Sequence, residues 1–267
     1  MKNDYLKEKA RKVRIEAIDM IYTAGSGHPG GSLGVADLLT YLYYNVLKTN
    51  ASKPSWNGRD RFILSNGHVC PALYAVLAEK GFFKKDRLKT LRKMNGLQGH
   101  PERGSLPGIE TSAGPLGLGL GISCGMALKA KMDGEKHHIY CMMSDGEQDE
   151  GATWEAAMFA AKNKLDNLTA IIDRNKIQLS GPTEKIMPLE NLKEKYEAFN
   201  WNVIEIKGHD FNEMKKIKTR KKGKPTLIIA NTIPGKGVSF MEGKFEWHGK
   251  APNKSERDQA IKELNKQ

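Results

Sequence analysis

The sequence has 267 residues, 39% of them hydrophobic and 7% aromatic, which is enough to build the core of one large α/β domain. Its start, MKNDYLKEKARKV, lacks the apolar stretch of a secretory signal, and the longest charge-free span, residues 111–128, carries five glycines and a proline that make it a poor membrane helix. The net charge is +12, but lysines are interspersed with glutamates, and this pattern is typical of solvated helices. We therefore expect a cytoplasmic protein that binds neither a membrane nor nucleic acid.

Cysteine usage and the densest basic segment fit this expectation. The three cysteines, Cys70, Cys124 and Cys141, are far apart and form no CxxC pair, which indicates free thiols in a reducing compartment. Residues 215–224 contain seven basic and no acidic side chains, but no aromatic ones that could stack on bases. This segment is either a solvated surface or a patch for phosphates or an acidic partner.

The N-terminal part of the chain predicts two helices joined by a glycine-rich loop. Apolar residues recur at near-helical spacing over residues 1–24. Residues 25–32 then contain four glycines and a proline, so this loop can approach a ligand closely. Ser32 is a candidate N-cap for a second helix over residues 33–47.

The next segments predict a strand over residues 60–64, a helix over 71–80 and a polar helix over 84–94. The glycines of residues 114–121 have the GxGxG spacing of a dinucleotide-binding loop. However, no strand precedes them, as that motif requires. We interpret them as the start of a helix, reaching about residue 128, that allows a close backbone approach to a helix or cofactor.

Residues 138–177 predict a strand, a crossover helix and a second parallel strand. The apolar runs 139–143 and 168–172 flank an alanine-rich segment with helical spacing, residues 153–164. Asp145 and Asn175 follow the two strands, at the sheet edge where open α/β sheets bind ligands. Their side-chain oxygens suit a divalent cation such as magnesium. Acidic residues just after Asp145, including Glu147, are more simply explained by the preference of helix N-termini for carboxylates.

Four histidines occur in turns: His28, His68, His100 and His248. Any one of them could be an exposed loop residue, but four in glycine- or proline-containing turns indicate a common site. Further strands are predicted over residues 202–206 and 226–230, with a basic helix between them. The alternation of strands and helices predicts an α/β fold, a doubly wound parallel sheet flanked by helices, and we expect residues 1–267 to form a single domain.

Together these motifs resemble the diphosphate-binding half of transketolase over essentially the whole chain. The matching segments are SGHPGG at 26–31, SNGHV at 65–69, GHPE at 99–102, GPLGLGL at 114–120, SDGEQDEGATWEA at 144–156 and DRNKI at 173–177. Many relatives begin the metal motif with glycine where this chain has Ser144, which can still cap the following amides, so we expect the geometry to survive.

The resemblance implies the thiamine diphosphate-binding fold and its metal site. Asp145, Asn175 and the carbonyl group of Ile177 would bind magnesium, or else calcium or manganese, which anchors the diphosphate of thiamine diphosphate. Gly146 would approach that diphosphate, with Glu150 as a further acidic residue of the same motif.

The same resemblance assigns the remaining cofactor and substrate contacts. Gly114 and Leu116 would contact the cofactor through their backbone. His68 and His248 correspond to the diphosphate-side and donor-side histidines. His28 and His100 correspond to substrate histidines that assist proton transfer.

Full-length transketolases continue through a pyrimidine-binding domain, which supplies a glutamate to the aminopyrimidine ring, and a C-terminal domain. Only 19 residues follow His248. The resemblance therefore implies the N-terminal subunit of a split transketolase, active in an α2β2 assembly with a partner subunit that carries those two domains. Its reaction would transfer a two-carbon ketol unit from a ketose phosphate to an aldose phosphate in pentose phosphate metabolism.

The sequence leaves three alternatives open. The chain could belong to a related two-subunit enzyme for a modified or branched sugar. It could belong to an enzyme like deoxyxylulose phosphate synthase, although the absence of inserted segments favours transketolase. It could also be a non-catalytic binding subunit.

Overall fold

The protein is described by a computed structural model that covers residues 3–267. Its main sheet is parallel, with the strand order β1-β2-β3-β7-β6. The strands are β1 (Arg61–Leu64), β2 (Ile139–Ser144), β3 (Leu168–Arg174), β4 (Ile177–Gln178), β5 (Gly181–Pro182), β6 (Asn202–Lys207) and β7 (Thr226–Asn231), of which β4 and β5 form a separate antiparallel pair. The helices are α1 (Asn3–Ala24), α2 (Pro29–Gly34), α3 (Ala36–Tyr41), α4 (Cys70–Glu79), α5 (Leu118–Met132), α6 (Gly151–Lys162), α7 (Thr183–Ile186), α8 (Leu192–Ala198) and α9 (Lys254–Leu264).

Two hydrophobic cores lie on opposite faces of this sheet. Successive strand residues point to opposite faces, so Met142 and Ile171 pack with α1, α3 and α4, whereas Cys141 and Ile172 pack with α5, α6 and α8. Every residue of β2 and β3 is buried, as expected for parallel strands covered by helices on both sides. The predicted doubly wound parallel fold is confirmed. Within residues 3–267, none of the helices combines the length and apolar character needed to cross a membrane.

Several element boundaries differ from the sequence prediction. The second helix begins at Pro29 rather than after Ser32, since proline is well suited to the first helical position. Ser32 is therefore buried inside α2 and caps nothing. The predicted polar helix at 84–94 is a short 3₁₀ segment, Lys85–Thr90. The basic helix between β6 and β7 is likewise a 3₁₀ segment, Glu213–Lys218. Residues 1 and 2, included in the first predicted helix, lie outside the described residues.

Candidate active site

The candidate metal ligands follow two adjacent strands. β2 and β3 pair in register up to Ser144 and Asp173, so Asp145 and Asn175 emerge at the same edge of the sheet. The Asp145 side chain is fully buried, and its Oδ2 accepts a hydrogen bond from the backbone N–H of Lys176 at 2.6 Å. The Asp145 carboxylate therefore lies against the turn that contains Asn175.

Asn175 is held in one orientation by two hydrogen bonds. Its Nδ2 donates to Asp173 Oδ2 at 2.9 Å, and its Oδ1 accepts from the backbone N–H of Ile177 at 3.0 Å. The amide oxygen thus faces the Asn175–Ile177 turn, which Asp145 contacts through Lys176. The structure thus places Asp145 beside the turn that contains Asn175 and Ile177, the other two residues that the resemblance implies as metal ligands.

Burial shapes the electrostatics of these carboxylates. It raises the pKa of Asp145, although the nearby Arg174 guanidinium opposes the shift. It also raises the pKa of Asp173 to about 7, with the Asp145 charge adding to the shift. A bound cation would offset the cost of burying this negative charge.

Gly146 lies beside β4, and its N–H donates to Asp145 Oδ1 at 2.9 Å. An added Cβ at Gly146 would lie 3.1 Å from Gln178 Cγ, so the backbone here is closely approached by the next turn. Glu150 is exposed and lies beside Gly117, where an added Cβ would come 2.7 Å from Glu150 Cβ. Both residues thus flank the Asp145 turn.

Three of the four histidines form a compact cluster. The ring centroids lie 5.1 Å apart for His28 and His68, 5.5 Å for His28 and His248, and 5.3 Å for His68 and His248. His28 precedes α2, His68 lies in the 3₁₀ turn after β1, and His248 follows the 3₁₀ turn Phe245–Trp247. Segments that are far apart in sequence therefore supply one imidazole cluster.

Burial disfavours the protonated form of these three imidazoles. Burial lowers the pKa of His28 to about 4, and repulsion from His248 and Arg92 adds to the shift. Burial likewise lowers the pKa of His68 well below its ordinary value and lowers the pKa of His248. Neutral imidazoles at physiological pH can accept protons.

His100 lies at the rim of this cluster, on a loop that contacts the chain just before the glycine-rich residues 114–121. The N–H of Ala113 donates to the carbonyl of Pro101 at 2.9 Å. Gly67 allows the close approach of both loops, because an added Cβ there would lie 2.6 Å from Ala113 Cβ and 3.3 Å from His100 Cδ2. His100 therefore packs against the turn that carries His68.

Gly114 and Leu116 follow Ala113 in this same loop. Gly114 has φ +157°, and an added Cβ there would meet no atom within 4 Å. Leu116 is half-buried. The loop therefore runs past the turn of His68 toward α5 with its backbone at Gly114 open to a ligand.

Sequence reasoning missed four polar residues around the site. The sequence pattern indicates only helix-terminus chemistry for Glu147, but its carboxylate is buried and accepts hydrogen bonds from three segments. Arg174 forms a buried ion pair with Asp145. Arg92 donates from Nη1 to Ser26 Oγ at 2.5 Å and lowers the pKa of His100, after the larger effect of burial. Asn66 is fully buried beside the His68 turn. Three of the four lie in segments that resemble the family, Asn66 in SNGHV, Glu147 in SDGEQDEGATWEA and Arg174 in DRNKI, whereas Arg92 lies in none of them.

A family model described as "Transketolase, thiamine diphosphate binding domain" matches residues 6–266. The chain belongs to the transketolase family. It is 41% identical to one of the apulose-4-phosphate transketolase subunits of Phocaeicola vulgatus, covering 99% of this chain and 95% of that protein. It is 42% identical to the 6-deoxy-6-sulfo-D-fructose transketolase subunit SqwG of a Clostridium species, covering 98% and 97%.

Full-length transketolases match over less than half of their own length. Human transketolase is 39% identical over 98% of this chain but only 42% of the human protein. The crystal structure of transketolase from Campylobacter jejuni superimposes with a TM-score of 0.92 at 35% identity, covering 99% of this chain and 43% of that one. This transketolase-family chain thus corresponds to the thiamine diphosphate-binding part of those proteins.

The residues of this transketolase-family chain fit the cofactor that the family binds. His28 Nδ1 and both amide atoms of Asn66 are buried without a hydrogen-bond partner among residues 3–267. Buried polar atoms are normally satisfied, so these atoms are suited to bind a ligand. In the same part of the chain, no three His, Cys, Asp or Glu side chains form a metal cluster. The oxygen atoms that Asp145, Asn175 and Ile177 offer, one carboxylate, one amide oxygen and one backbone carbonyl, are of the types that magnesium takes in proteins.

Proposed function

We propose that this chain is the N-terminal subunit of a thiamine diphosphate-dependent transketolase. The reaction would be the reversible transfer of a two-carbon ketol unit from a ketose phosphate to an aldose phosphate, in the cytoplasm and within pentose phosphate metabolism. The observation that carries the proposal is the cluster of His28, His68 and His248 in a chain whose parallel strands also end in a turn that contains the buried Asp145 carboxylate.

The oxygen-ligand turn would hold the cofactor diphosphate through a divalent cation. Asp145, Asn175 and the carbonyl of Ile177 are the proposed ligands, and magnesium is the expected ion, with calcium or manganese as substitutes. Gly146 would lie beside the diphosphate, with Glu150 in the same motif. The proposed unit is one cofactor-binding domain spanning residues 1–267.

The cofactor supplies the chemistry for cleaving and forming the bond next to the ketose carbonyl. The chain's own residues bind and orient it and move protons. His68, with the backbone of Gly114 and Leu116, would contact the cofactor. His28 and His248 would accept a proton from a donor hydroxyl, since burial lowers the pKa of both and so favours the neutral, proton-accepting form. His100, at the exposed rim, would bind substrate hydroxyls.

Activity would require a second chain. Two of the similar proteins are named as transketolase subunits, and this chain spans nearly all of their length. The proposed partner carries the pyrimidine-binding and C-terminal domains that complete the longer transketolases, in an α2β2 assembly. It would supply the glutamate that contacts the aminopyrimidine ring.

Calorimetry with thiamine diphosphate and Mg²⁺ tests this proposal. We expect weak binding by the chain alone, tighter binding with the C-terminal subunit of a two-chain transketolase, and no binding by Asp145→Ala. Glu194→Gln, an exposed position on α8, is the matched control. Unchanged affinity in Asp145→Ala would refute the metal assignment. Ketol transfer by the isolated chain at the rate of the pair would refute the requirement for a second chain.

A second candidate is the same cofactor chemistry on a modified sugar. The names of the two similar subunits, which refer to apulose 4-phosphate and 6-deoxy-6-sulfo-D-fructose, favour testing it. A panel of phosphorylated, sulfonated and branched donors, assayed with the partner subunit, separates the candidates by their kcat/KM values. A preference for ordinary ketose phosphates would reject the modified-sugar candidate.

A further inference from the structure

Glu147 occupies a position in the site that its place in the sequence did not indicate. Its side chain is fully buried, and within the described residues 3–267 no Lys, Arg or His forms a salt bridge with it. All of its hydrogen-bond donors are neutral. Burying a carboxylate without a cation is costly unless several hydrogen bonds hold it, so the bonds to Glu147 are strong constraints on the groups that donate them.

Those donors come from three segments that each contain residues proposed to bind the cofactor or its metal ion. Oε1 accepts a hydrogen bond from the Ser65 hydroxyl and another from the N–H of Gly117 at 2.8 Å. Oε2 accepts from the N–H of Ser144 at 3.2 Å. Ser65 lies three residues before His68, Gly117 ends the loop of Gly114 and Leu116, and Ser144 directly precedes Asp145.

Ser65 extends this network into the first turn of α5. Its Oγ accepts from the N–H of Gly119 at 3.1 Å while its hydroxyl donates to Glu147. An added Cβ at Gly119 would lie 2.2 Å from Ser65 Oγ, so only glycine allows the helix to sit this close to the end of β1. A shift of Glu147 would therefore also move the start of α5.

We propose that Glu147 is a positioning residue that fixes the Gly114–Gly117 loop and the Ser144–Asp145 turn in the arrangement that binds thiamine diphosphate. This inference rests on the proposed function, because it concerns the same site. Glu147 does not contact the cofactor. It acts through the backbone groups of Gly117 and Ser144 and through the hydroxyl of Ser65.

The substitution Glu147→Gln tests this role with little change in shape. A carboxylate accepts on both oxygens, whereas an amide has one acceptor oxygen and one NH₂ donor. In Glu147→Gln, the NH₂ group must face either the N–H of Ser144 or the donors on the side of Gly117, so one side loses its acceptor. Glu147→Ala removes both acceptors, and Glu194→Gln on the surface of α8 is the matched control.

Amide hydrogen exchange in the full chain, without ligand, is the first readout. We expect exchange in residues 114–119 or 142–146 to accelerate at least about tenfold in Glu147→Gln, and in both segments in Glu147→Ala, while β3 exchanges as in the wild type. An equal acceleration in β3 would mean a general loss of stability and would overturn the proposal. So would unchanged exchange in both segments.

The affinity for thiamine diphosphate with Mg²⁺, measured with the partner subunit present, is the second readout. We expect the Kd to rise about tenfold or more in Glu147→Gln and to stay unchanged in Glu194→Gln. Local acceleration of exchange with an unchanged Kd would overturn the positioning role and leave the proposed function intact. Absence of binding by the wild-type assembly would instead overturn the proposed function.

Discussion

The guanidinium of Arg174 lies 2.9 Å from the carboxylate of Asp145, measured from Nη1 to Oδ2, and both side chains are almost fully buried. The same guanidinium reaches Glu184 at 2.5 Å and Glu190 at 2.8 Å, so it links the candidate metal site to the segment that follows β5. In the sequence, Arg174 is merely the residue before Asn175. In the fold it is the counter-charge of the proposed metal ligand.

Arg174→Ala is expected to lower the free energy of unfolding by about 3–5 kcal/mol, because it leaves the buried Asp145 carboxylate without a cation. Lys131→Ala is the control, since the Lys131–Asp166 pair has the same 2.9 Å separation but is about one-third exposed. That control should cost no more than about 1 kcal/mol. Urea denaturation measures both values, and equal losses in the two variants would contradict the assignment.

Asn66→Ala is expected to separate stability from ligand binding. The Asn66 amide is buried without a partner in the described part of the chain, so its removal should leave the free energy of unfolding unchanged or raise it. If the amide contacts the cofactor, the affinity for thiamine diphosphate should fall about tenfold or more. Thermal denaturation and calorimetry test the two effects. A clear loss of stability with unchanged affinity would assign Asn66 a purely structural role.

Arg92→Gln is expected to raise the pKa values of His28 and His100, because the Arg92 cation contributes to lowering both. His248 is the internal reference, since burial alone lowers its pKa. NMR titration of the imidazole protons measures all three groups in one sample. Equal upward shifts at His248 would indicate a general opening of the site instead of the loss of one charge.

The lowered pKa of His28 predicts a specific pH dependence of stability. Between pH 6.5 and about 4, the unfolded chain binds a proton at His28 that the folded chain does not. The free energy of unfolding therefore decreases as the pH falls through that window. Because the ring is only half-buried, we reduce the full effect of one proton by about half, and the free energy of unfolding should change by about 0.7 kcal/mol per pH unit. Urea denaturation of the wild type and of His28→Gln from pH 6.5 to 4.5 measures this contribution as the difference between their pH slopes. Identical slopes in the two proteins would contradict the lowered pKa of His28.

Local patterns predicted most of the fold. The apolar runs that form β2 and β3 are short and bounded by polar turns, so their strand character is encoded in neighbouring residues. Boundaries were less accurate where local signals competed. Ser32 suits an N-cap, but Pro29 already satisfies the first helical turn, and the helix starts there.

The candidate site likewise has a part that the sequence predicts and a part that it does not. Asp145 and Asn175 could be predicted because each follows a strand in a recognisable motif, and pairing of parallel strands brings their ends to one edge of the sheet. The distances within the histidine cluster could not be predicted from the sequence, because they depend on how α2, the turn after β1 and the turn before α9 pack together.

The sequence by itself determined the five strands of the main sheet, the candidate ligands and the resemblance to transketolase, because these depend on short-range patterns. Only the tertiary structure decided that Glu147 binds Ser65, 82 residues away, and that Arg174 pairs with Asp145, 29 residues away. A buried charge is stabilised by whichever donors the packing brings to it, and packing between distant segments leaves no local trace in the sequence. The turn that begins with Asp145 is therefore visible in the sequence, but what holds it in place is visible only in the fold.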